Sequence, residues 1–147
     1  MSNIEQQLAS EGFYVSTTVG TSMWPMLRNR RDRVIIRAAK DEPLKRGDLP
    51  LYRYPDGRYV LHRVIAVKDG VYIIRGDNTY TKEKIPKEWI LGKVTEFYRG
   101  EKRVDASSRL YRAYAGFWQG IFFLRYPLFW ARRKASALKR RLFRTKK

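Results

Sequence analysis

The chain has 147 residues and a formal net charge of +18, from 32 Lys and Arg against 14 Asp and Glu. It contains no cysteine and one histidine, which excludes disulfides, a thiolate nucleophile and a cysteine-based metal site and argues against zinc. This length predicts one domain with an appendage.

The first 105 residues are predicted to be mainly β. Residues 1–10 are polar and resemble neither a secretory signal nor a membrane anchor, and residues 3–10 predict a short helix. Apolar or alternating runs predict strands over 14–19, 33–38, 49–54, 59–67, 71–75 and 89–98, and residues 102–104 are predicted to complete the sheet after Arg99-Gly100. The Pro55-Asp56-Gly57 and Asp69-Gly70 segments contain residues typical of tight turns, and they predict β-hairpins at these two places. Within 59–67, alternation predicts that His62 and Arg63 point to opposite faces.

Charge is concentrated at the carboxyl end. From Arg99 onward there are 15 Lys and Arg against two acidic residues, and no acidic residue follows Asp105. The chain therefore divides into a mildly basic unit over residues 1–105 and a strongly basic tail over 106–147.

The tail is predicted to be an amphipathic helix that Pro127 kinks or breaks, followed by a second, basic helix. Residues 113–131 are nearly long enough to span a bilayer. Arg125 makes spanning marginal, because placing an arginine near the middle of a span costs about 2.5–3.5 kcal/mol on insertion scales. A helix lying on anionic lipid is the preferred interpretation, although a single span stays open. The predicted membrane-binding residues are Phe117, Trp118, Phe122, Trp130, Arg132 and Arg133. A helix packed on the β unit, a partner-docking helix and, last, nucleic-acid binding are the alternatives.

Three short segments carry candidate chemistry. Gly20-Thr21-Ser22-Met23-Trp24-Pro25 supplies a serine, Leu61 to Val67 contains the single histidine, and Arg75-Gly76-Asp77-Asn78 supplies a carboxylate. Serine, histidine and a carboxylate are the side chains that nucleophilic hydrolysis of an amide most often uses.

These segments, with Gly47-Asp48 before a strand, resemble the sequence boxes of the signal peptidase I / LexA clan over roughly residues 14–98. In the bacterial enzymes of that clan a lysine occupies the place of His62. The chain is therefore similar to the Ser-His branch, which includes archaeal, endoplasmic-reticulum and sporulation-type signal peptidases. The resemblance implies a signal-peptidase/LexA-like, β-barrel-like catalytic domain over residues 1–105 and a serine endopeptidase without metal or cofactor.

The resemblance also implies roles for individual residues. Ser22 would be the nucleophile, with its own backbone N–H in the oxyanion site, although a serine here could simply cap a short helix. His62 would be the general base, against the alternative of a hydrogen-bonded core histidine. The acid that would complete the catalytic triad by orienting His62 is left open between Asp77 and Glu83. The predicted substrate-binding residues are Gly20 and Met23.

The expected function is cleavage of signal or leader peptides after small residues at a membrane surface, at the cytoplasmic face of the inner membrane. The expected partners are the peptide or protein substrate and anionic lipid, and no nucleic acid is expected. A catalytically silent relative that binds peptides or membranes is the alternative. No oligomeric state follows from the sequence.

Overall fold

The structure, a computed structural model, describes the backbone of residues 3–39 and 42–144, and the side chains of these residues except 129, 133 and 137–144. The helices are α1 (Asn3–Glu11), α2 (Arg109–Gly120) and α3 (Phe122–Arg144). The strands are β1 (Phe13–Thr17), β2 (Asp32–Ala38), β3 (Pro50–Arg53), β4 (Tyr59–Leu61), β5 (Arg63–Lys68), β6 (Val71–Arg75), β7 (Glu83–Ile85), β8 (Ile90–Arg99) and β9 (Lys102–Asp105). The prediction of a mainly β chain with a helical carboxyl end is confirmed.

The larger sheet is an antiparallel half-barrel that curls around the long central strand β8. Its order is β1-β2-β8-β3-β4, and β9 also pairs with β8. Bulges interrupt the register between Ile35 and Ile36 and between Leu51 and Tyr52, and such bulges bend a sheet. Gly92 in β8 permits the close approach of β2, because a Cβ there would lie 2.4 Å from the Arg37 carbonyl oxygen.

A smaller sheet has the order β5-β6-β7. It begins after His62, where the chain continues but the strand structure is interrupted. The sequence predicts one strand over 59–67, but β4 belongs to the larger sheet and β5 to the smaller one. Apolar side chains from both sheets, including Tyr52, Val64, Ile74 and Ile85, form a shared core. His62 therefore lies where the chain passes from one sheet to the other.

Helix α2 packs on the β unit. Ser108 caps it by accepting a hydrogen bond from the Tyr111 N–H, and Tyr111, Ala115 and Gln119 are buried. The predicted break at Pro127 is wrong, because α3 continues through that residue and the helices separate at Ile121. The break follows Gly120, and glycine is a weak helix former.

Candidate active site

Ser22, His62 and Glu83 line one cavity of about 460 Å³, whose wall is formed mainly by the half-barrel. Gly20 and Met23 line the same cavity. Ser22 comes from the loop after β1, His62 from the junction of β4 and β5, and Glu83 from the first position of β7. Three separate segments of the sequence are thus brought to one concave surface.

The loop that carries Ser22 is fixed at both of its ends. The Thr18 hydroxyl donates to the Arg28 carbonyl oxygen over 2.9 Å, and the Arg28 guanidinium binds the fully buried Asp32 carboxylate over 2.7 Å. Burial of Met23 and Leu27 anchors the middle of the loop to the half-barrel core. These contacts hold Ser22 half-buried at the wall of the cavity.

The Gly76-Asp77-Asn78 segment packs directly against the backbone of this loop. The Asn78 N–H donates to the Ser22 carbonyl oxygen over 2.7 Å, and the Asn78 side-chain amide donates to the Thr21 carbonyl oxygen over 3.1 Å. Position 76 requires glycine because a Cβ there would lie 2.8 Å from the Ser22 carbonyl oxygen. The Gly76-Asp77-Asn78 segment therefore positions the backbone of the loop that carries Ser22.

The Asp77 carboxylate is bound to Arg63. The Arg63 Nε and Nη2 donate to the two Asp77 carboxylate oxygens over 2.7 and 2.6 Å, and the Arg63 side chain is 0% exposed. The other guanidinium nitrogen, Nη1, donates to the Gly47 carbonyl oxygen and to the Tyr111 hydroxyl. The buried ion pair thus joins β5 to the loop after β6, and Arg63 extends the contact to α2 through the Tyr111 hydroxyl.

Glu83 lies beside His62. Its Oε2 atom is 3.6 Å from the His62 Nδ1, and it accepts a 2.7 Å hydrogen bond from the Tyr52 hydroxyl. The same hydroxyl lies 3.2 Å from the His62 Nδ1, and Tyr52 is 0% exposed. The histidine side chain is 12% exposed and the glutamate side chain 31% exposed, so the group opens toward the cavity. Of the two candidate acids, Glu83 is the one beside the histidine.

Burial lowers the pKa of His62 below its ordinary value of 6.5, and the nearby Glu83 charge only partly offsets this effect. A neutral imidazole can accept a proton from a serine hydroxyl, whereas an imidazolium cannot. The imidazole is therefore available as a base at neutral pH.

We predict that the acidic limb of kcat/KM for peptide cleavage has its midpoint below pH 6.5, because activity is lost only as the pH falls through the lowered pKa of His62. Glu83→Gln should move this midpoint further down, because the glutamate charge raises the pKa of His62. A pH–rate profile, with NMR titration of the single imidazole, checks both shifts. A wild-type midpoint above 6.5 would contradict the assignment of His62 as a desolvated base.

Ser22 and His62 share the cavity, but among the described residues no hydrogen bond joins their side chains. The Ser22 backbone N–H also makes no hydrogen bond within that part of the chain. This N–H can therefore donate to an oxygen that approaches the Ser22 hydroxyl. Proton transfer from Ser22 requires that the serine and the imidazole come within about 3.2 Å of each other when the cavity is filled.

The predicted membrane-binding residues fall into two groups. Trp118 and Phe122 pack within the chain: the indole N–H of Trp118 donates to the Asp77 carbonyl oxygen, and the Arg75 guanidinium lies 3.4 Å from the centre of the Phe122 ring. Phe117, Trp130 and Arg132 are exposed, and Arg133 lies outside the residues whose side chains are described. No helix in the described part of the chain is both long and apolar enough to cross a membrane.

Sequence reasoning missed two residues of this region, Tyr52 and Arg63. Tyr52 belongs to an apolar strand pattern in which nothing distinguishes a hydroxyl that faces the site. Arg63 could have been recognised, because a charged residue inside an apolar strand needs a buried counter-charge. The described residues contain no group of three or more His, Cys, Asp or Glu side chains that could hold a metal ion.

Comparison with models of known protein families finds no match, and comparison with curated proteins finds none either.

Proposed function

We propose that this chain is a serine endopeptidase of the signal-peptidase type, with Ser22 as nucleophile, His62 as general base and Glu83 as the acid that supports the histidine. The observation that carries the proposal is the convergence of these three side chains on one cavity, with a part-buried imidazole whose Nδ1 faces Tyr52 and Glu83. The half-barrel would then be the catalytic domain of the signal-peptidase/LexA-like fold.

The proposed reaction has two stages. In the first, the Ser22 hydroxyl attacks the scissile carbonyl while His62 takes its proton, and the Ser22 N–H donates to the developing oxyanion. The tetrahedral intermediate then expels the amine, which receives the proton from His62, and an acyl-enzyme remains. In the second stage, His62 takes a proton from water and the resulting hydroxide attacks the ester to give a second tetrahedral intermediate. This intermediate collapses to the carboxylic acid and the Ser22 oxygen, which takes back the proton from His62.

An extended peptide is the substrate that suits the shape of the cavity. Strand β1 forms an edge of the larger sheet, and its end together with the following residues, Ser16 to Gly20, lines the cavity beside Ser22. An edge strand can pair with an extended chain through backbone hydrogen bonds. Signal or leader segments with small residues at the cut are the substrate class that the resemblance to signal peptidases implies.

We also propose that the helical tail binds an anionic membrane surface. Exposed apolar side chains accompany the basic residues of the tail, and they include Phe117, Phe123, Leu124, Leu128 and Trp130. Each basic residue near an anionic bilayer contributes about 1 kcal/mol before screening, and the apolar side chains add burial in the interface. Binding there would place the cavity near substrates that emerge from or approach the membrane.

The double substitution Phe123→Ser with Leu124→Ser should weaken binding to anionic vesicles at least tenfold. These side chains are 84% and 76% exposed, so the fold loses little, whereas each contributes about 1.5–3 kcal/mol when fully buried in an apolar phase. Vesicle co-sedimentation measures the effect, and Val67→Ser, which removes an exposed apolar side chain from β5, serves as control. Equal binding of the double variant and the wild type would contradict an interfacial role for this face.

A catalytically silent peptide-binding module is the second candidate function. The observation that favours it is the absence, among the described residues, of a hydrogen bond between the Ser22 and His62 side chains. Such a module would retain the groove beside β1 and bind extended peptides without cutting them.

Mass spectrometry of a pool of signal and leader peptides, incubated with the protein in lipid micelles, separates the two functions. The peptidase proposal predicts cuts after small residues that disappear with Ser22→Ala. Peptides that are retained by both proteins and cut by neither would support the binding module. Cuts that persist in the Ser22→Ala sample would indicate a contaminating protease and would remove the support for Ser22.

A further inference from the structure

We propose that Tyr52 is a positioning residue that joins His62 to Glu83 and selects the tautomer of the imidazole in which Nε2 is free to act as base. This inference rests on the proposed peptidase function and deepens it. It follows from the positions of two polar groups, the His62 imidazole and the Glu83 carboxylate, around one buried hydroxyl that the sequence patterns did not single out.

The first step concerns the direction of the hydrogen bonds. A tyrosine hydroxyl has one proton to donate, and an ionised carboxylate can only accept. The 2.7 Å contact from the Tyr52 hydroxyl to Glu83 Oε2 therefore uses the tyrosine proton. The hydroxyl oxygen can then only accept from the His62 Nδ1, 3.2 Å away, so the imidazole must carry its proton on Nδ1.

The second step concerns distance. The direct separation between His62 Nδ1 and Glu83 Oε2 is 3.6 Å, longer than a normal hydrogen bond. The Tyr52 hydroxyl lies within hydrogen-bond distance of both groups and closes this gap. The acid would thus act on the base through the tyrosine, in the order His62, Tyr52, Glu83.

The third step concerns rigidity. Tyr52 is 0% exposed, and its ring packs edge-on against Tyr54 with the ring centres 5.5 Å apart. Burial and the neighbouring Glu83 carboxylate raise the pKa of Tyr52 above its ordinary value of 10.0, so its hydroxyl keeps its proton at neutral pH. A fixed, protonated hydroxyl can hold one tautomer of the imidazole throughout the reaction cycle.

The test uses the single histidine of the chain. In the full-length protein labelled with ¹⁵N-histidine, at a pH well above 6.5, two-bond and three-bond ¹H–¹⁵N correlations identify which ring nitrogen carries the proton. The wild type should have the proton on Nδ1. Tyr52→Phe, which removes only the hydroxyl, should lose this preference and give a mixture of tautomers or the form protonated on Nε2.

Kinetics give a second readout. For a peptide identified by mass spectrometry, Tyr52→Phe should lower kcat by about tenfold to a hundredfold with little change in KM, because an imidazole held wholly in the wrong tautomer costs up to about 10⁴-fold in a related triad. Tyr72→Phe is the matched control, since Tyr72 is also buried but its hydroxyl accepts from the Leu44 N–H, away from the site. It should leave both the tautomer and kcat unchanged.

The outcomes separate this inference from the proposed function. A wild-type imidazole protonated on Nε2 overturns the role of Tyr52 without any variant, as does a Tyr52→Phe protein that keeps the Nδ1 tautomer and its kcat. Tautomer selection by Tyr52 in a protein that cuts no peptide would support the hydrogen-bond chain and count against the peptidase. Cleavage with an unchanged tautomer in Tyr52→Phe would support the peptidase and count against the chain.

Discussion

Ser22→Ala is expected to lower peptide cleavage by roughly 10⁴-fold or more, because removal of the nucleophile eliminates the acyl-enzyme route. The fold should be unaffected. Within the described residues the Ser22 hydroxyl makes no hydrogen bond, and the carbonyl oxygen that accepts from Asn78 is present in alanine as well. Initial rates with a peptide identified from the pool, together with the melting temperature, measure both effects.

Ser136→Ala is the matched control, because Ser136 is an exposed residue of α3 outside the cavity. It should retain full activity. The assignment of Ser22 as nucleophile would be contradicted if Ser22→Ala retained more than about a tenth of the wild-type rate, since general-base contributions alone account for 10²- to 10⁴-fold.

Asp77→Asn is expected to destabilise the protein by about 3–5 kcal/mol, because it leaves the fully buried Arg63 cation without its counter-charge. Arg63 also donates to Gly47 and Tyr111, so disruption would extend from β5 to α2. Chemical denaturation followed by tryptophan fluorescence measures the loss. If this variant fails to fold, the result agrees with the predicted loss of stability.

Asp56→Asn provides the comparison. Asp56 forms an exposed ion pair with Arg58, with Nε and Oδ2 2.7 Å apart, and because water screens exposed pairs its removal should change the stability little. The double substitution Arg63→Met with Asp77→Leu should recover much of the stability, because removing both charges leaves neither unpaired. A loss below about 1 kcal/mol for Asp77→Asn would contradict a structural role for the buried pair.

The two candidate acids should therefore have different effects when they are replaced. Asp77 contacts Arg63 with both oxygens and supports the fold, whereas Glu83 lies 3.6 Å from the His62 Nδ1 and is part-exposed. We expect Glu83→Gln to change the pH profile more than the stability and Asp77→Asn to do the reverse. The Gly76-Asp77-Asn78 segment would then contribute to catalysis by holding the backbone of Ser22 in place.

Much of the β unit could be predicted because its strands follow simple rules. Strand β6 was predicted over its observed residues, and β2, β8 and β9 were predicted within one residue at each end. Strands β2, β6 and β8 are apolar or alternating runs bounded by turn residues, and β9 follows the Arg99-Gly100 turn, so local chemistry determines them. The site residues Ser22, His62 and Glu83 came instead from the sequence motifs and from the resemblance that these motifs carry, and all three line the cavity.

The features that could not be predicted depend on contacts between distant residues. The apolar run over 59–67 is locally continuous, and only pairing with different neighbours divides it at His62. Strand β7 has three residues and forms by pairing with β6. The partner of Asp77 could not be chosen from the sequence either, because Arg63 and His62 are adjacent and only the fold determines which one the carboxylate reaches.

The tail combines predictable and unpredictable features. Its helical period was recognised, but Trp118 and Arg125 both donate to the Asp77 carbonyl oxygen and so attach the helices to the loop that supports Ser22. Arg125, which argued against a membrane span in the sequence, is buried with its guanidinium 3.7 Å from the centre of the Trp118 ring. Amphipathic spacing does not distinguish residues that face the protein from those that face outward.

The most direct test of the central claim is the formation of a covalent adduct between Ser22 and a peptide boronate that ends in a small residue. An activated serine adds its oxygen to boron and gives a tetrahedral adduct, which ¹¹B NMR detects and to which the single His62 ring signal responds. We predict a tetrahedral adduct in the wild type that is absent in Ser22→Ala and weakened in His62→Ala. Equal adduct formation in wild type and Ser22→Ala, or a boronate that binds the cavity without becoming tetrahedral, would contradict Ser22 as the nucleophile.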